Sequence, residues 1–287
     1  MATKINKVGI LYHPLIEKAG RLAGRLSDFL TSQKVAVWSG SAWEVEKARV
    51  QLHGTGLVMS VGGDGTILRT AHVVTGSKTP ILGINLGTLG FMTELSEDEA
   101  FKKLPGIIGG EGWLDERSML QVSAPISKEE KTYHALNDIV LARGAVARVV
   151  HIEVNIEEEK FTSYTADGVI AATATGSTGY SLAAGGPILY PNAKDFLLLP
   201  MLPHLSLPYT LVLPEKAIVK LRIDTSYSGT LAIDGHTNLP LPSGTEVTVK
   251  KSPYKMRFLR IHPEASFYST LERKLKGKRN GSSGSKS

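Results

Sequence analysis

The residues best suited to chemistry lie in two glycine-rich stretches that are far apart in the chain. The first is VGGDGTILRT (61–70), which follows the apolar run GLVMSV. Its glycines, Gly62, Gly63 and Gly65, let the backbone approach a ligand closely, and amides at the start of a helix can bind an anion. The loop matches neither the Walker sequence nor GxGxxG, so the mechanisms of those motifs do not apply to it.

Asp64, in the middle of this loop, has two possible roles. An aspartate between a strand and a helix commonly caps the helix. Alternatively, its carboxylate acts on a bound ligand. Because a carboxylate repels phosphates, that second role points to a base near a hydroxyl or to a holder of Mg²⁺. The loop alone does not decide between the two.

The second stretch, ADGVIAATATGSTGYSLAAGGP (166–187), is rich in hydroxyls as well as glycines. Four hydroxyls fall within seven residues, at Thr175, Ser177, Thr178 and Ser181. Apolar strand residues flank the loop, so it emerges from a core and is not a linker. Asp167 could bind a ligand or form an Asx turn. Tyr180 could stack on a base or be half-buried in the ordinary way.

A third candidate is the pair Asn137–Asp138 in HALNDIVLARG. Adjacent polar residues of low β propensity are out of place in an apolar strand. Such local inconsistencies tend to mark functional sites. Since side chains alternate along a strand, the two point to opposite faces, and one of them faces a given ligand.

Two regions of different pattern must position these residues. In the first, strands at 7–12, 34–38, 56–61 and 80–85 alternate with helical patterns, one of which begins at a capping box formed by Ser96 and Glu99. This alternation predicts a Rossmann-like α/β domain over 1–112, with helices on a parallel sheet.

From residue 113, strand-like runs follow one another with turns between them, at GT, SPY and SG. They predict a mostly antiparallel, β-sandwich-type domain over 113–262, interrupted by a short helix at about 178–186. A helix at 263–276 is expected to pack back on a domain, and 277–287 to be a flexible tail. The fold class is α/β plus all-β, with a cleft between the domains.

Composition narrows the possible partners. The chain of 287 residues has a net charge of +6, and from Glu272 to the end six basic residues and one acid carry five of those charges. The body is nearly neutral, so no nucleic-acid footprint is expected. Four prolines interrupt the most apolar run, FLLLPMLPHLSLPYTLVLP, so no membrane span is expected. There is no cysteine, which excludes disulfides and Cys-ligated zinc, and we expect a cytoplasmic protein.

The segments GGDGT, LND, ADGVIAATATGSTGYSLAAGGPIL and LAIDGH, in that order, resemble the NAD kinases, which phosphorylate the adenosine ribose 2′-hydroxyl of NAD to make NADP. The resemblance extends from the first strand to about residue 262. GGDGT alone is shared with diacylglycerol and sphingosine kinases and, as GGDGS, with phosphofructokinases. The long TGST-Y-S-AGGP stretch is much more specific to NAD kinases.

The resemblance implies a role for each matching position. Asp64 corresponds to the general base on the 2′-hydroxyl, and the donor-phosphate loop comprises Gly62, Gly63, Gly65 and Thr66. The implied NAD-binding residues are Asp64, Gly65, Arg69, Asn137, Asp138, Arg148, Thr165, Asp167, Thr175, Thr178, Gly179, Tyr180, Ser181, Ala183 and His236. Asp138 replaces the commoner Glu, and Ala174 and Gly179 depart from the usual ATPTGSTAY.

The same resemblance implies ATP or another phosphoryl donor, a divalent metal such as Mg²⁺ with unassigned ligands, and a homodimer or homotetramer. Two alternatives remain at this point. A lipid kinase of the diacylglycerol type would phosphorylate a lipid hydroxyl and form no product from NAD. A non-catalytic NAD-sensing protein on the same fold would bind NAD without turnover, which the intact GGDGT disfavours.

Overall fold

A computed structural model describes residues 4–87, 90–126, 129–146, 148–204, 209–264 and 266–275. In its first part, strands alternate with helices as the pattern predicts. The elements are β1 (Lys7–Tyr12), α1 (Glu17–Ser32), β2 (Ala36–Ser41), α2 (Val45–Gln51), β3 (Leu57–Val61), α3 (Asp64–Val74), β4 (Ile81–Ile84) and α4 (Glu97–Ile108). The four strands pair in parallel in the order β2-β1-β3-β4.

The rest of the chain is dominated by strands. They are β5 (Trp113–Ile126), β6 (Glu129–Ala135), β7 (Asp138–Arg143), β8 (Val150–Ile156), β9 (Glu159–Ala166), β10 (Gly168–Ala172), β11 (Phe196–Met201), β12 (Leu211–Leu213), β13 (Val219–Asp224), β14 (Gly229–Ile233), β15 (Thr237–Leu241) and β16 (Glu246–Arg260). A 3₁₀ turn (Gly176–Thr178) and the helices α5 (Tyr180–Ala183) and α6 (Ser266–Leu275) complete the described elements.

These strands form two sheets. Sheet A follows the order β2-β1-β3-β4-β16-β13-β8-β9, with β5 paired to β16 and β6 to β5. Sheet B is antiparallel, in the order β12-β11-β10-β7-β14-β15. The antiparallel part of sheet A packs on sheet B around one apolar core, which includes Phe196, Val219 and Leu231. The predicted combination of an α/β region with a β-sandwich-type region is confirmed.

Strand β16 connects the two regions. It is parallel to β4 where Phe258 pairs with Ile81, and antiparallel to β5 and β13. The sequence pattern predicts a turn at SPY (252–254), and that prediction is wrong. The structure has one continuous strand with a shift in register between Lys251 and Lys255. Sheet A therefore runs across both regions.

A capping sequence correctly predicts where α4 begins. The predicted capping box is confirmed, since the Ser96 hydroxyl accepts the Glu99 N–H and the Glu99 carboxylate accepts the Ser96 N–H at 2.9 Å. Such a cap is worth about 1 kcal/mol. No helix in the described ranges is both long enough and apolar enough to cross a membrane.

Candidate active site

Asp64 lies in the first turn of α3, directly after β3. The N-cap of this helix is Gly63, and within the described residues no side chain caps it, so of the two possible roles Asp64 does not fill that of the N-cap residue. Its carboxylate instead accepts the backbone N–H of Phe91 at 2.9 Å and that of Met92 at 3.1 Å. These two amides, in the segment after β4, were not anticipated from the sequence. They fix the carboxylate between the start of α3 and that segment.

The glycines around Asp64 differ in what surrounds them. Gly62 has φ +155°, and a Cβ there would lie 2.3 Å from Thr66 Oγ1, so the fold itself requires glycine. At Gly63 and Gly65, apart from the chain neighbours and the backbone of the helix itself, no described atom lies within 4 Å of the position that a Cβ would take. Open space therefore adjoins the start of α3, where backbone amides can receive an anion.

The second glycine-rich stretch folds against Asn137. The Thr173 hydroxyl donates to the Leu136 carbonyl at 2.6 Å and accepts the Gly176 N–H at 3.0 Å. A Cβ on Gly176 would lie 2.0 Å from the Asn137 carbonyl oxygen, so only glycine allows this approach. At Gly179 a Cβ would be 3.5 Å from Asn137 Nδ2. The structure thus brings the two separate motifs into contact.

Three of the four hydroxyls in this stretch have partners within the protein. Ser177 donates to Ala174 O at 2.6 Å and accepts the Leu189 N–H, and Thr178 donates to Thr175 O at 3.2 Å. Thr175 accepts Arg117 Nη1 at 3.4 Å. The Ser181 hydroxyl is buried and has no hydrogen-bond partner among the residues that the structure describes.

Asp234 is a site residue that sequence reasoning missed. It occupies the turn of the β14–β15 hairpin with φ +49°, followed by Gly235 with φ +67°. Its carboxylate accepts three backbone N–H groups, from Leu136 at 2.8 Å, Asn137 at 2.7 Å and Asp138 at 3.1 Å. Asp234 therefore sets the conformation of the LND segment. The only sequence signal was an aspartate in a tight turn.

His236, next in the same turn, faces α3. Its ring lies 5.5 Å from the ring of His72, between centroids. Burial lowers the pKa of both histidines, that of His72 to about 4, so both rings are neutral at pH 7. One helical turn earlier, the Arg69 guanidinium stacks on the ring of Trp43 at 4.3 Å. The β14–β15 turn and the exposed side of α3 thus face each other.

Unpartnered buried atoms locate the ligand site independently. Among the described residues, four buried side-chain polar atoms have no hydrogen-bond partner: Thr66 Oγ1, Asn137 Oδ1, Ser181 Oγ and His236 Nε2. Leaving such a group unsatisfied costs about 1–3 kcal/mol, so native proteins rarely do it without a reason. All four lie in the predicted motifs. Their concentration indicates a site at which a polar ligand supplies the missing partners.

Three predicted residues lie just before β10 and around β8–β9, away from the end of β10 that faces the second motif. Gly168 pairs with Ala142 and Ala172 with Asp138, so the two ends of this pairing are about 13 Å apart. At the distant end, Asp167 pairs with Arg143 at 3.1 Å, Thr165 Oγ1 lies 2.9 Å from His151 Nδ1, and Arg148 stacks on Tyr227 at 5.5 Å.

An apolar pocket begins at the near end and extends over this face of sheet B. Its lining residues include Val140, Ala142, Met201, Ala232 and Tyr180. Tyr180 and Ala183 of α5 are exposed. The predicted residues therefore form two groups with an apolar surface between them.

Asp138 and Asp234 give the site a distinct pH dependence. Burial, and then the charge of Asp234, raise the pKa of Asp138 from its ordinary 3.8 to about 7. Burial also raises the pKa of Asp234, to about 6, against the three amides that lower it. A carboxyl whose pKa rises on folding stabilises the native state below pH 4, and that stability is lost as the pH rises through about 7.

We therefore expect Asp138→Asn to exceed the natural chain in stability by more at pH 9 than at pH 5, because the loss in the natural chain begins above pH 4 and is complete only above about pH 7. Asparagine mimics the protonated acid and avoids ionisation beside Asp234. A shift of three pKa units corresponds to about 4 kcal/mol, so we expect a gain on the order of 2–4 kcal/mol at pH 9. Urea unfolding at both pH values measures it, with Asp224→Asn on an exposed strand position as the control. An equal effect of Asp138→Asn at the two pH values would contradict the pairing.

Family comparisons agree with this geometry. The model of the ATP-NAD kinase N-terminal domain matches residues 8–112, and that of the ATP-NAD kinase C-terminal domain matches residues 136–261. An NAD kinase of Dehalococcoides mccartyi is 47% identical over 273 residues, covering 94% of this chain and 96% of the relative. An NAD kinase of Chloroflexus aurantiacus is 37% identical, covering 95% of this chain and 99% of the relative.

Solved structures share the fold. Yeast NADH kinase in complex with NADH aligns with a TM-score of 0.80 at 24% identity, over 96% of this chain and 89% of that one. An NAD kinase from Archaeoglobus fulgidus in complex with ATP aligns with a TM-score of 0.76 at 23% identity, over 93% and 98%. With both domain models matched and relatives of this identity along nearly the whole length, the chain belongs to the ATP-NAD kinase family.

Proposed function

We propose that this chain transfers the γ-phosphoryl group of ATP to the adenosine ribose 2′-hydroxyl of NAD, giving NADP and ADP. The relatives bear the name NAD kinase, and the Archaeoglobus structure contains ATP. One observation carries the proposal: the four unpartnered buried polar atoms cluster on the two motifs and the turn that meet near α3. Both matching family models and the relatives named above are NAD kinases, and they give no support to the lipid-kinase alternative.

In this mechanism Asp64 is the general base. Two backbone amides orient its carboxylate at the start of α3. It accepts the 2′-hydroxyl proton as the 2′-oxygen bonds to the γ-phosphorus and the bond from that phosphorus to the ADP oxygen breaks. Positioned proton transfer of this kind contributes about 10²–10⁴ in rate. The open space beside Gly63 and Gly65 suits the donor phosphates, whose charge the helix amides offset.

We place the adenosine half of NAD against the 3₁₀ turn and Asn137–Asp138. There Asn137 Oδ1 and Ser181 Oγ are buried without partners, and His236 Nε2 faces α3 across the same region. The apolar surface of sheet B leads from this point towards Asp167 and Thr165. An extended dinucleotide along that surface reaches both groups of predicted residues.

We propose Mg²⁺ as the cation that accompanies the donor. Among the described residues no three His, Asp or Glu side chains converge to hold a metal. Mg²⁺ in kinases is usually held by one or two carboxylates together with substrate phosphates. The donor phosphates at the start of α3 would supply ligands to the ion, and its protein ligands stay unassigned. When bound, the ion would neutralise charge on the transferring phosphoryl group.

Oligomeric state and location complete the proposal: a homodimer or homotetramer in the cytoplasm. Apolar side chains are exposed near the β11–β12 edge of sheet B, with Leu202 76% and Val212 52% exposed. Exposed apolar patches of this kind commonly mark contacts between protein surfaces. Light scattering of the purified chain would give the assembly size, and a monomer would overturn this part alone.

The activity itself is tested by incubating the protein with NAD, ATP and Mg²⁺ and coupling the product to an NADP-specific dehydrogenase. We expect NADP to form, and no phosphorylated product from diacylglycerol vesicles under the same conditions. NAD binding without NADP would favour the NAD-sensing alternative. A lipid product without NADP would favour the lipid kinase.

A further inference from the structure

The segment of residues 90–92, which donates backbone N–H groups to the Asp64 carboxylate, is in turn bonded by the side chain of Arg260. Met92, whose N–H bonds Asp64, has its carbonyl bonded by Arg260 Nη1 at 3.0 Å. A Cβ on Gly90 would lie 2.0 Å from Asp64 Oδ1, so the segment and the carboxylate are in tight contact. A small displacement of residues 90–92 therefore moves the carboxylate of Asp64.

Arg260 reaches this segment from the end of β16, far away in sequence. The same guanidinium bonds Glu94 at 3.1 Å and Asp115 at 3.1 Å. Glu94 in turn accepts the backbone N–H groups of Ile261 and His262, each at 2.7 Å. The planar guanidinium group of Arg260 donates to three acceptors at once: the Met92 carbonyl, Glu94 and Asp115. The ammonium group of a lysine could not reach all three in the same geometry.

A second arginine extends the cluster to the other motif. Arg117 bonds both oxygens of Asp115, at 2.7 Å and 2.5 Å, and donates to Thr175 at 3.4 Å. The four charged residues, Glu94, Asp115, Arg117 and Arg260, are all at most 8% exposed. Two acids balance two bases, so the cluster is neutral and its members are paired. A buried pair of this kind adds little net stability, because the cost of desolvating its charges offsets their attraction.

We infer that Arg260 is a positioning residue for the reaction: through Met92 and Glu94 it sets the place of the Asp64 carboxylate. Through Asp115 and Arg117 the same cluster also contacts Thr175 of the second motif. The inference rests on the proposed role of Asp64 as general base. An arginine that merely joined β16 to the α/β region would affect stability and leave the catalytic step unchanged.

Arg260→Lys tests this role. We expect kcat to fall by about 10–100-fold, as when a catalytic group is displaced by around 1 Å. The Kd of NAD, measured by calorimetry, should stay within about threefold, because Asn137, Ser181 and His236 are untouched. The matched control is Arg257→Lys on the same strand, whose partner Glu116 lies at the surface. It should keep the kcat of the natural chain.

A double-mutant cycle separates positioning from general damage. If Arg260 acts through Asp64, then Arg260→Lys should cost nothing further in an Asp64→Asn background, since coupled residues are not additive. An additive loss, or an unchanged kcat in folded Arg260→Lys, would overturn the inference. If Asp64→Asn alone keeps its turnover, the proposed general base fails instead, and the two failures are distinguishable.

Glu94→Gln provides a second variant should Arg260→Lys not fold. It keeps one acceptor oxygen for the two backbone amides and loses the charge that pairs with Arg260. We expect kcat to fall in the same direction, by a smaller factor, with NAD affinity retained. A folded Glu94→Gln protein with the kcat of the natural chain would contradict the role of the cluster.

Discussion

Asp64→Asn is expected to lower kcat by roughly 10²–10⁴-fold, with the Kd of NAD changed less than about threefold. Asparagine has nearly the size of aspartate, and its carbonyl oxygen can still accept a backbone N–H from Phe91 or Met92. What it loses is the ability to take a proton from the 2′-hydroxyl. The loss should therefore fall on turnover and leave ground-state binding nearly unchanged.

Steady-state rates from the coupled assay, together with calorimetric NAD binding, measure this difference. The matched control is Asp98→Asn, the same chemical change in the first turn of α4, where the side chain is exposed. It should leave kcat unchanged. Turnover near that of the natural chain in Asp64→Asn would remove the general-base assignment, whatever the effect on NAD affinity.

The parts of the fold that the sequence predicts are those set by local patterns. Strand–helix alternation and the Ser96–Glu99 capping box depend on residues within a few positions of each other, so both could be read directly. The continuity of β16 could not be predicted from local patterns. The pattern shows a turn at SPY, but pairing with β5 carries the strand through that point by a shift in register. Such pairing joins residues far apart in sequence.

The site shows the same limit. Its motifs are recognisable because glycines and hydroxyls concentrate in them, and all four unpartnered buried atoms fall on predicted residues. Asp234 was missed because its partners are the backbone amides of 136–138, nearly a hundred positions away. Phe91 and Met92 were missed for a related reason. They act through backbone N–H groups, which every residue type except proline possesses.

The number of hydroxyls in residues 175–181 also overstates how many of them can bind a ligand. In the sequence, Ser181 looks equivalent to its neighbours Thr175, Ser177 and Thr178. In the fold, the hydroxyls of those three neighbours form hydrogen bonds within the protein. The neighbouring turn, and not the residue type, decides which hydroxyl remains for a ligand. Sequence therefore identifies the motif, and the folded geometry selects the members that act.

Gly65→Ala is expected to stabilise the fold while lowering kcat/KM for ATP by about 10²-fold or more. Gly65 is the second residue of α3, where alanine is favoured over glycine by at most about 0.5–1 kcal/mol, and apart from its chain neighbours and the helix backbone no described atom lies within 4 Å of its Cβ position. The packing of the described fold therefore gives no reason for glycine there. We expect the added methyl to occupy the space in which the donor phosphates approach the helix amides.

Alanine variants of two further glycines serve as controls for this prediction. Gly24→Ala, in the exposed part of α1 with nothing described within 4 Å, should give the same stabilisation with no change in activity. Gly62→Ala should lose both stability and activity, because its Cβ would lie 2.3 Å from Thr66 Oγ1 at φ +155°. Thermal unfolding and ATP titrations of the three variants separate these outcomes. If Gly65→Ala behaves like Gly24→Ala, the donor does not bind at the start of α3.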